Sequence, residues 1–241
     1  MGNTIQRRTF PTRDIRAHGT DLHMWHKFVR RREFEMVMEA FPLGTRFHNA
    51  LELGAGDGGQ SETIAGFCER LTCTEMNTRG NEMIGRFEAR ELPNVTFQLL
   101  DARDLSGFGE GSFDFIFSSN VLGHVDGVNR CLAECRRVLA PNGVMVHTMP
   151  TRQWKFWNTL VSLLFRHQFP QIHGISSSHW SEWRAFGVKS WRRALEHANF
   201  EVFNLVGLPF YYGHGPRPIW LIKLGNRLRW NATVAYYARK I

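Results

Sequence analysis

Between Leu51 and Ser61 the chain runs Leu-Glu-Leu-Gly-Ala-Gly-Asp-Gly-Gly-Gln-Ser, and this stretch constrains everything around it. A short apolar run from Ala50 to Leu53 ends in closely spaced glycines, and a helix-compatible segment follows. That order predicts a strand, a tight turn and a helix N-terminus. Glycine suits the turn because the backbone there needs positive φ, and because a ligand can then lie against bare backbone. The exposed N–H groups and the helix dipole favour an electron-rich ligand group.

The chain on either side repeats the theme. After the loop a helix is expected over about Gln60–Arg70, then a strand near Leu71–Glu75, a helix Arg79–Arg90 and a strand Val95–Leu100 that ends at Asp101. Phe113–Ser118 is a near-continuous apolar run, the pattern of a central parallel strand covered on both faces. Apolar residues at helical spacing mark Val128–Leu139, Pro141-Asn142-Gly143 reads as a turn, and Val144–Met149 as the next strand. Alternation of this kind predicts an α/β fold, a doubly wound, Rossmann-like sheet. Upstream, residues 1–20 read as a mobile arm, and Thr20 or Asp21 can cap a helix to about Ala40 with Leu22, Trp25, Val29 and Met36 inward. Downstream, Lys189–Ala198 reads as a helix, and Glu201–Val206 and Thr233–Arg239 as the last strands. Residues 151–187 and 208–231 interrupt this rhythm as helical, aromatic-rich cap insertions. The whole of 1–241 is expected to be one domain, with 1–45 its arm and first helix.

Composition narrows the classes. A chain of 241 residues that is 43% hydrophobic can close one full core. Its apolar runs fall short of the ~20 residues that cross a bilayer, and no apolar core follows Arg7 and Arg8 as a secretion signal would. The cytoplasm is the expected compartment. Cys131 and Cys135, one helical turn apart on an apolar stripe, read as buried thiols rather than metal ligands, and no metal site is expected. The net charge of +8 could attract nucleic acid, an anionic membrane or a phosphorylated substrate. No nucleic-acid motif accompanies it, so specific nucleic-acid binding is not expected, and Arg30-Arg31-Arg32 reads as a solvated helix face.

The glycines admit two ligands. Gly54, Gly56 and Gly59 satisfy G-x-G-x-x-G, with Glu75 about 20 residues on as a ribose partner for a nicotinamide dinucleotide. Glu52, Gly54, Gly56 and Gly58, followed in order by Glu75, Asp101, Phe113–His124 and Arg137-Val138-Leu139-Ala140-Pro141-Asn142-Gly143, resemble the class I S-adenosylmethionine (SAM)-dependent methyltransferases, in the branch of the ubiquinone and menaquinone methyltransferases. That resemblance covers about Asn49–Val146, and more loosely Val188–Val202. It implies a seven-stranded sheet with the last strand antiparallel and SAM as cofactor. It also implies roles: the backbone of Gly54, Ala55 and Gly56, with Glu52, at the cofactor's amino-acid end; Glu75 on both ribose hydroxyls; Met76 on an adenine face; Asp101 and the Ala102 N–H on the adenine edge; and Ser118 at the fourth strand tip.

The expectation is therefore an enzyme, a SAM-dependent methyltransferase, with a nicotinamide oxidoreductase or a catalytically silent SAM-fold scaffold as rivals. Methyl transfer mainly needs alignment and exclusion of water, and a general base only where the acceptor must lose a proton. Candidate bases are His124 after the fourth strand and His173 and His179 in the aromatic insertion, while His147 reads as core or pocket wall. The chain lacks the [DNS]-P-P-[YFW] of DNA amino-methyltransferases and the paired glutamates of protein arginine methyltransferases after that strand. O-methylation of a small-molecule, glycan or lipid-linked acceptor is the working expectation. The insertions suit either a cap on the pocket or a peripheral contact with a membrane.

Overall fold

Apolar residues on both faces of Ala50–Leu53 and Phe113–Ser118 require covering layers on both sides, so these segments become adjacent central strands. In the computed structural model, which describes residues 5–7, 22–56, 58–76, 92–209 and 219–241, they form the middle of one sheet. Strand β2 (Phe47–Leu53) pairs in parallel with β5 (Phe113–Ser119), placing Leu53 opposite Ser118. Beyond β2 lie β3 (Cys68–Glu75) and β4 (Val95–Leu99), and beyond β5 lies β6 (Leu139–Pro150), all parallel. The strands β7 (Phe200–Pro209) and β8 (Asn231–Lys240) close the far side, with β8 antiparallel to both β6 and β7. The expected seven strands are thus present with the last one antiparallel. A two-residue strand β1 (Gln6–Arg7) adds to β7, giving the order β1-β7-β8-β6-β5-β2-β3-β4.

Alternate residues of each strand face opposite layers. On one face α1 (Leu22–Met38) and α2 (Ser61–Ala65) cover Ala50, Phe115, Phe117 and Tyr237. Phe34 meets Phe117 edge-on at 4.9 Å, and the Tyr237 hydroxyl donates to the Val37 carbonyl at 2.7 Å. On the other face α3 (Val128–Val138) and α6 (Val188–His197) cover Leu51, Leu53, Ile116 and Tyr236. Cys131 and Cys135 lie fully buried there as free thiols, and the neighbouring Cys131 together with burial pushes the Cys135 thiol up.

Local pattern misplaces two boundaries. The helix expected over Gln60–Arg70 stops at Ala65, and β3 begins at Cys68 opposite Phe47. Glu69 and Arg70 are good helix formers, but both bind the ring of His48 across the strands, at 2.6 and 2.9 Å, so sheet pairing overrides propensity. The turn expected at Pro141-Asn142-Gly143 lies inside β6, where the register with β5 jumps from Phe113↔Leu139 to Phe115↔Val144. The first insertion carries the expected helices, α4 (Arg152–Arg166) and α5 (His179–Ala185). Thr151 caps α4 by accepting the Trp154 N–H at 3.2 Å, and Ser178 and Ser181 form a reciprocal cap on α5. In the second insertion α7 (Ile219–Arg227) packs on α4 through Val161 and Leu221, and Trp157 stacks on Trp230 at 4.5 Å. The helix expected at Arg79–Arg90, the arm over 8–20, the Thr20 or Asp21 cap and the side chains of Leu22 and Trp25 lie outside the described residues.

Candidate active site

From β2 the chain steps outward to β3 and β4, then returns to β5 and steps the other way, so the crevice at the carboxyl ends of β2 and β5 is the topological switch point. The glycine loop stands there. Gly54 and Gly56 both have positive φ, 65° and 59°. A Cβ on Gly54 would lie 2.5 Å from Val121 Cγ2, whereas one on Gly56 would project into open space. Glu75 reaches this loop from the tip of β3: Oε2 accepts the Gly56 N–H and Oε1 the Met76 N–H, each at 2.9 Å. Met76 beside it is 66% exposed although apolar. One strand further out, the Leu100 N–H donates to the Glu75 carbonyl at 3.0 Å, so Asp101 follows at the next tip. Its carboxylate is gripped by Arg103, from Nη2 at 2.6 Å and from the backbone N–H at 2.8 Å, which holds it below the usual carboxylate range. Ala102 packs against the core beneath. Arg137 braces the following loop by donating to the Leu105 and Phe108 carbonyls at 2.8 and 2.7 Å.

Two expected cofactor residues lie deeper. Glu52 shares the face of Ala50, is 3% exposed, and accepts the Ser61 hydroxyl and, at 3.4 Å, the Cys73 thiol. It therefore supports the loop from below, because the pleat of β2 turns it under α2. Ser118 is equally buried, and its hydroxyl bonds Nδ1 of His147. Burial drives His147 down to about 3.

Beside the crevice a cavity of about 160 Å³ opens at the tip of β5, walled by Arg30, Asn120, His124, Trp154, His173 and Phe186 among others. His124 ends a one-turn 3-10 helix, Leu122–His124, and burial first, then nearby His173, lowers its basicity. His173 is held by Glu182, whose Oε1 lies 3.1 Å from Nδ1 and accepts the backbone N–H at 3.2 Å. Glu182 is fully buried and forms an ion pair with the buried Lys155 at 2.5 Å. The structure thus brings His124 and His173 together. His179, 3.6 Å from Oε2 of Glu182 and 3.4 Å from the Lys155 ammonium, is not in the cavity wall.

Sequence reasoning missed Arg30, Asn120 and Glu182. The expectation of a solvated Arg30-Arg31-Arg32 face needs correction at its first residue. Arg31 and Arg32 do bind Glu35 along the helix, but Arg30 turns inward, donating to Ser119 Oγ at 3.1 Å and, with the Asn120 carboxamide oxygen facing it, to Asn120 at 2.8 Å. An Asn directly after a central strand is a readable signal, since Asn tolerates the left-handed backbone seen here at φ 59°.

Comparison with known families adds the deciding observation: residues 51–147, from the strand before the glycine loop through His147, match the methyltransferase domain. Over these residues the chain is similar to a methyltransferase domain. A SAM-dependent methyltransferase of Aquifex aeolicus has the same fold, with a TM-score of 0.59 at 14% identity over 95% of this chain and 98% of that one. A carbon methyltransferase, CurJ, superposes with a TM-score of 0.58 at 20% identity over 95% of this chain and 59% of its own. Among curated relatives, a thiol S-methyltransferase of Homo sapiens is 29% identical over 48% of this chain and 50% of its length. A ubiquinone biosynthesis O-methyltransferase of Caulobacter is 25% identical over 69% of this chain and 60% of its own. The chain spans about half the length of these curated relatives and only 4% of the polyketide synthases it also matches.

The domain and its SAM-dependent neighbours imply S-adenosylmethionine as the cofactor. The crevice fits it. The space that a Cβ on Gly56 would fill is open, Glu75 is already aimed at that loop, and an uncovered apolar side chain, Met76, flanks the carboxylate.

Proposed function

We propose that this protein is a cytoplasmic SAM-dependent methyltransferase that methylates a hydroxyl of a small-molecule, glycan or lipid-linked acceptor, with His173 as general base. The observation that carries the reading is His173, which lines the cavity and is held from behind by the buried Glu182. Nδ1 of His173 engages a buried carboxylate, so Nε2 is left to take a proton from an acceptor. A hydroxyl needs that help. SAM when bound supplies a methyl on a positively charged sulfur, so the chain's tasks are to align, to exclude water and to remove a proton.

Glu75 would hold the ribose hydroxyls, Met76 an adenine face, Asp101 with the Ala102 N–H the adenine edge, and the backbone of Gly54 to Gly56 the amino-acid end. Glu52 and Ser118 would act from beneath, through Ser61 and His147. His124, neutral at pH 7 because burial lowers it, would hydrogen-bond the acceptor rather than carry charge. Helices α4 and α7, packed on each other through Val161 and Leu221, suit a cap over the pocket. No helix among the described residues is long and apolar enough to cross a membrane. The exposed Phe156, Leu164 and Trp220 on that cap suit a peripheral lipid contact, which co-sedimentation with anionic liposomes tests.

Calorimetry checks the cofactor: S-adenosylhomocysteine should bind and NADH should not. A screen for a gain of one methyl mass then finds the acceptor, and on a hydroxyl acceptor His173→Ala should lower kcat by roughly 10²–10⁴ while leaving S-adenosylhomocysteine affinity intact. A thiol is the second reading, favoured by the human relative's name. A thiol ionises near pH 8.5 without help, so the same substitution should cost a thiol acceptor far less. Unchanged kcat on every hydroxyl acceptor refutes the base assignment.

A further inference from the structure

A second opening, a groove of about 670 Å³, lies where β6 ends and α4 and α6 begin. Its wall contains Arg152, Arg184, Lys189 and Arg193 and, among the described residues, no carboxylate. Among the described residues none of these four cations forms an ion pair with a carboxylate, although Arg and Lys elsewhere on the chain commonly do: Arg31 with Glu35, Arg192 with Glu196, Arg239 with Glu201. Arg152 spends one donor on the Trp183 carbonyl at 2.9 Å, and its guanidinium closes on the start of α6, with Nη2 2.9 Å from where a Cβ on Gly187 would stand. The groove also has a buried polar contributor. Asn231 is 5% exposed, lines the wall, and its carboxamide oxygen has no hydrogen-bond partner among the described residues, an acceptor for a donor on the ligand's body rather than for the phosphoryl group. Phe186 belongs to the walls of both openings, and Pro150 of the cavity is followed by Thr151 of the groove, so the two are neighbours.

We infer that this groove binds a phosphoryl group carried by the methyl acceptor, whose reacting end occupies the cavity at His124 and His173. The inference rests on the methyltransferase reading for the word acceptor, and on the groove alone for the phosphoryl group. Four uncompensated cations repel one another until an anion arrives. A carboxylate brings one charge, whereas a phosphate monoester brings about −1.5 to −2 and three acceptor oxygens that match guanidinium forks. The groove is far larger than one phosphate and falls in the range of about 300–1,000 Å³ that small-molecule sites occupy. A phosphorylated body, not a bare ion, is the fitting ligand. The +8 charge of the chain thus has one local use.

The test uses the full chain and a triple variant, Arg184→Glu, Lys189→Glu and Arg193→Glu, with Arg31→Glu, Arg70→Glu and Arg239→Glu as a charge-matched control. Glycerol 3-phosphate is titrated calorimetrically at low ionic strength, and vesicles of phosphatidic acid or phosphatidylcholine are sedimented with each protein. Glycerol 3-phosphate should bind the wild type and the control within twofold of each other, and the triple variant at least tenfold more weakly. Sedimentation with phosphatidic acid vesicles that the triple variant loses assigns the phosphoryl group to a lipid headgroup; its absence assigns it to a soluble acceptor. The proposal is overturned if the wild type binds neither probe, or if the triple variant binds as the wild type does. S-adenosylhomocysteine titrated into the same samples keeps the two readings separate. Its binding should be equal in all three proteins, and its absence from the wild type would end the methyltransferase reading while leaving the groove's phosphoryl site standing.

Discussion

Gly54 and Gly56 share a backbone conformation but not an environment, and alanine at each should separate folding from binding. Either substitution places a non-glycine residue in the left-handed region, which costs about 1–2 kcal/mol. At Gly56 the new methyl meets open space, so the protein should fold with little further loss while S-adenosylhomocysteine affinity falls tenfold or more. At Gly54 the methyl overlaps Val121, adding an overpacking cost of about 1–3 kcal/mol. Urea unfolding and calorimetry on the two variants check both halves. Glu75→Ala removes the acceptor that orients the Gly56 N–H as well as the expected ribose partner, and Asp101→Ala the expected adenine partner. Each should weaken S-adenosylhomocysteine by about 1–3 kcal/mol, with Glu75 at least as harmful. These carboxylates were readable because each stands at a strand end in sequence. What the sequence could not show is that Asp101 already has a cation, Arg103, on its carboxylate.

At the level of elements, the cap is pinned by one buried ion pair. Lys155 of α4 and Glu182 of α5 are 4% and 0% exposed, so removing one partner strands a charge in the interior. Glu182→Gln should destabilise the fold by about 3–5 kcal/mol in urea unfolding. Replacing both, as Lys155→Met with Glu182→Leu, should restore most of that stability, because a well-packed apolar pair avoids the desolvation cost. The double variant should nonetheless lose activity, since His173 no longer has an orienting carboxylate. Full activity in the stable double variant would show that His173 needs no orientation. This pair joins residues 27 positions apart across two helices of an aromatic insertion, and no local spacing announces it. The same applies to α2, which the sequence extends to Arg70 and the sheet ends at Ala65.

For the whole molecule, the pH dependence of unfolding should carry the mark of His147. Its imidazole sits in the sheet with a basicity lowered by burial to about 3, against 6.5 when exposed. The unfolded chain therefore takes the proton first. The stabilising contribution is complete above pH 6.5 and is lost as pH falls through the window toward 3. Between pH 7 and pH 5 the loss should be about 2 kcal/mol, and His147→Gln should flatten that part of the curve. Glu33 acts in the opposite sense: burial raises its carboxyl, so its contribution is complete at low pH and lost as pH rises through its folded value. The difference between wild type and variant isolates the histidine. By itself the sequence determined the parallel core, the glycine turn and the order of acidic strand tips, because period, backbone freedom and strand ends are local properties. Tertiary structure alone decided that Arg30 turns inward, that Glu182 holds His173, and that four cations from α4, α5 and α6 share one groove. Those outcomes depend on which helices the closed sheet brings side by side, and burial and charge proximity do not exist until it closes.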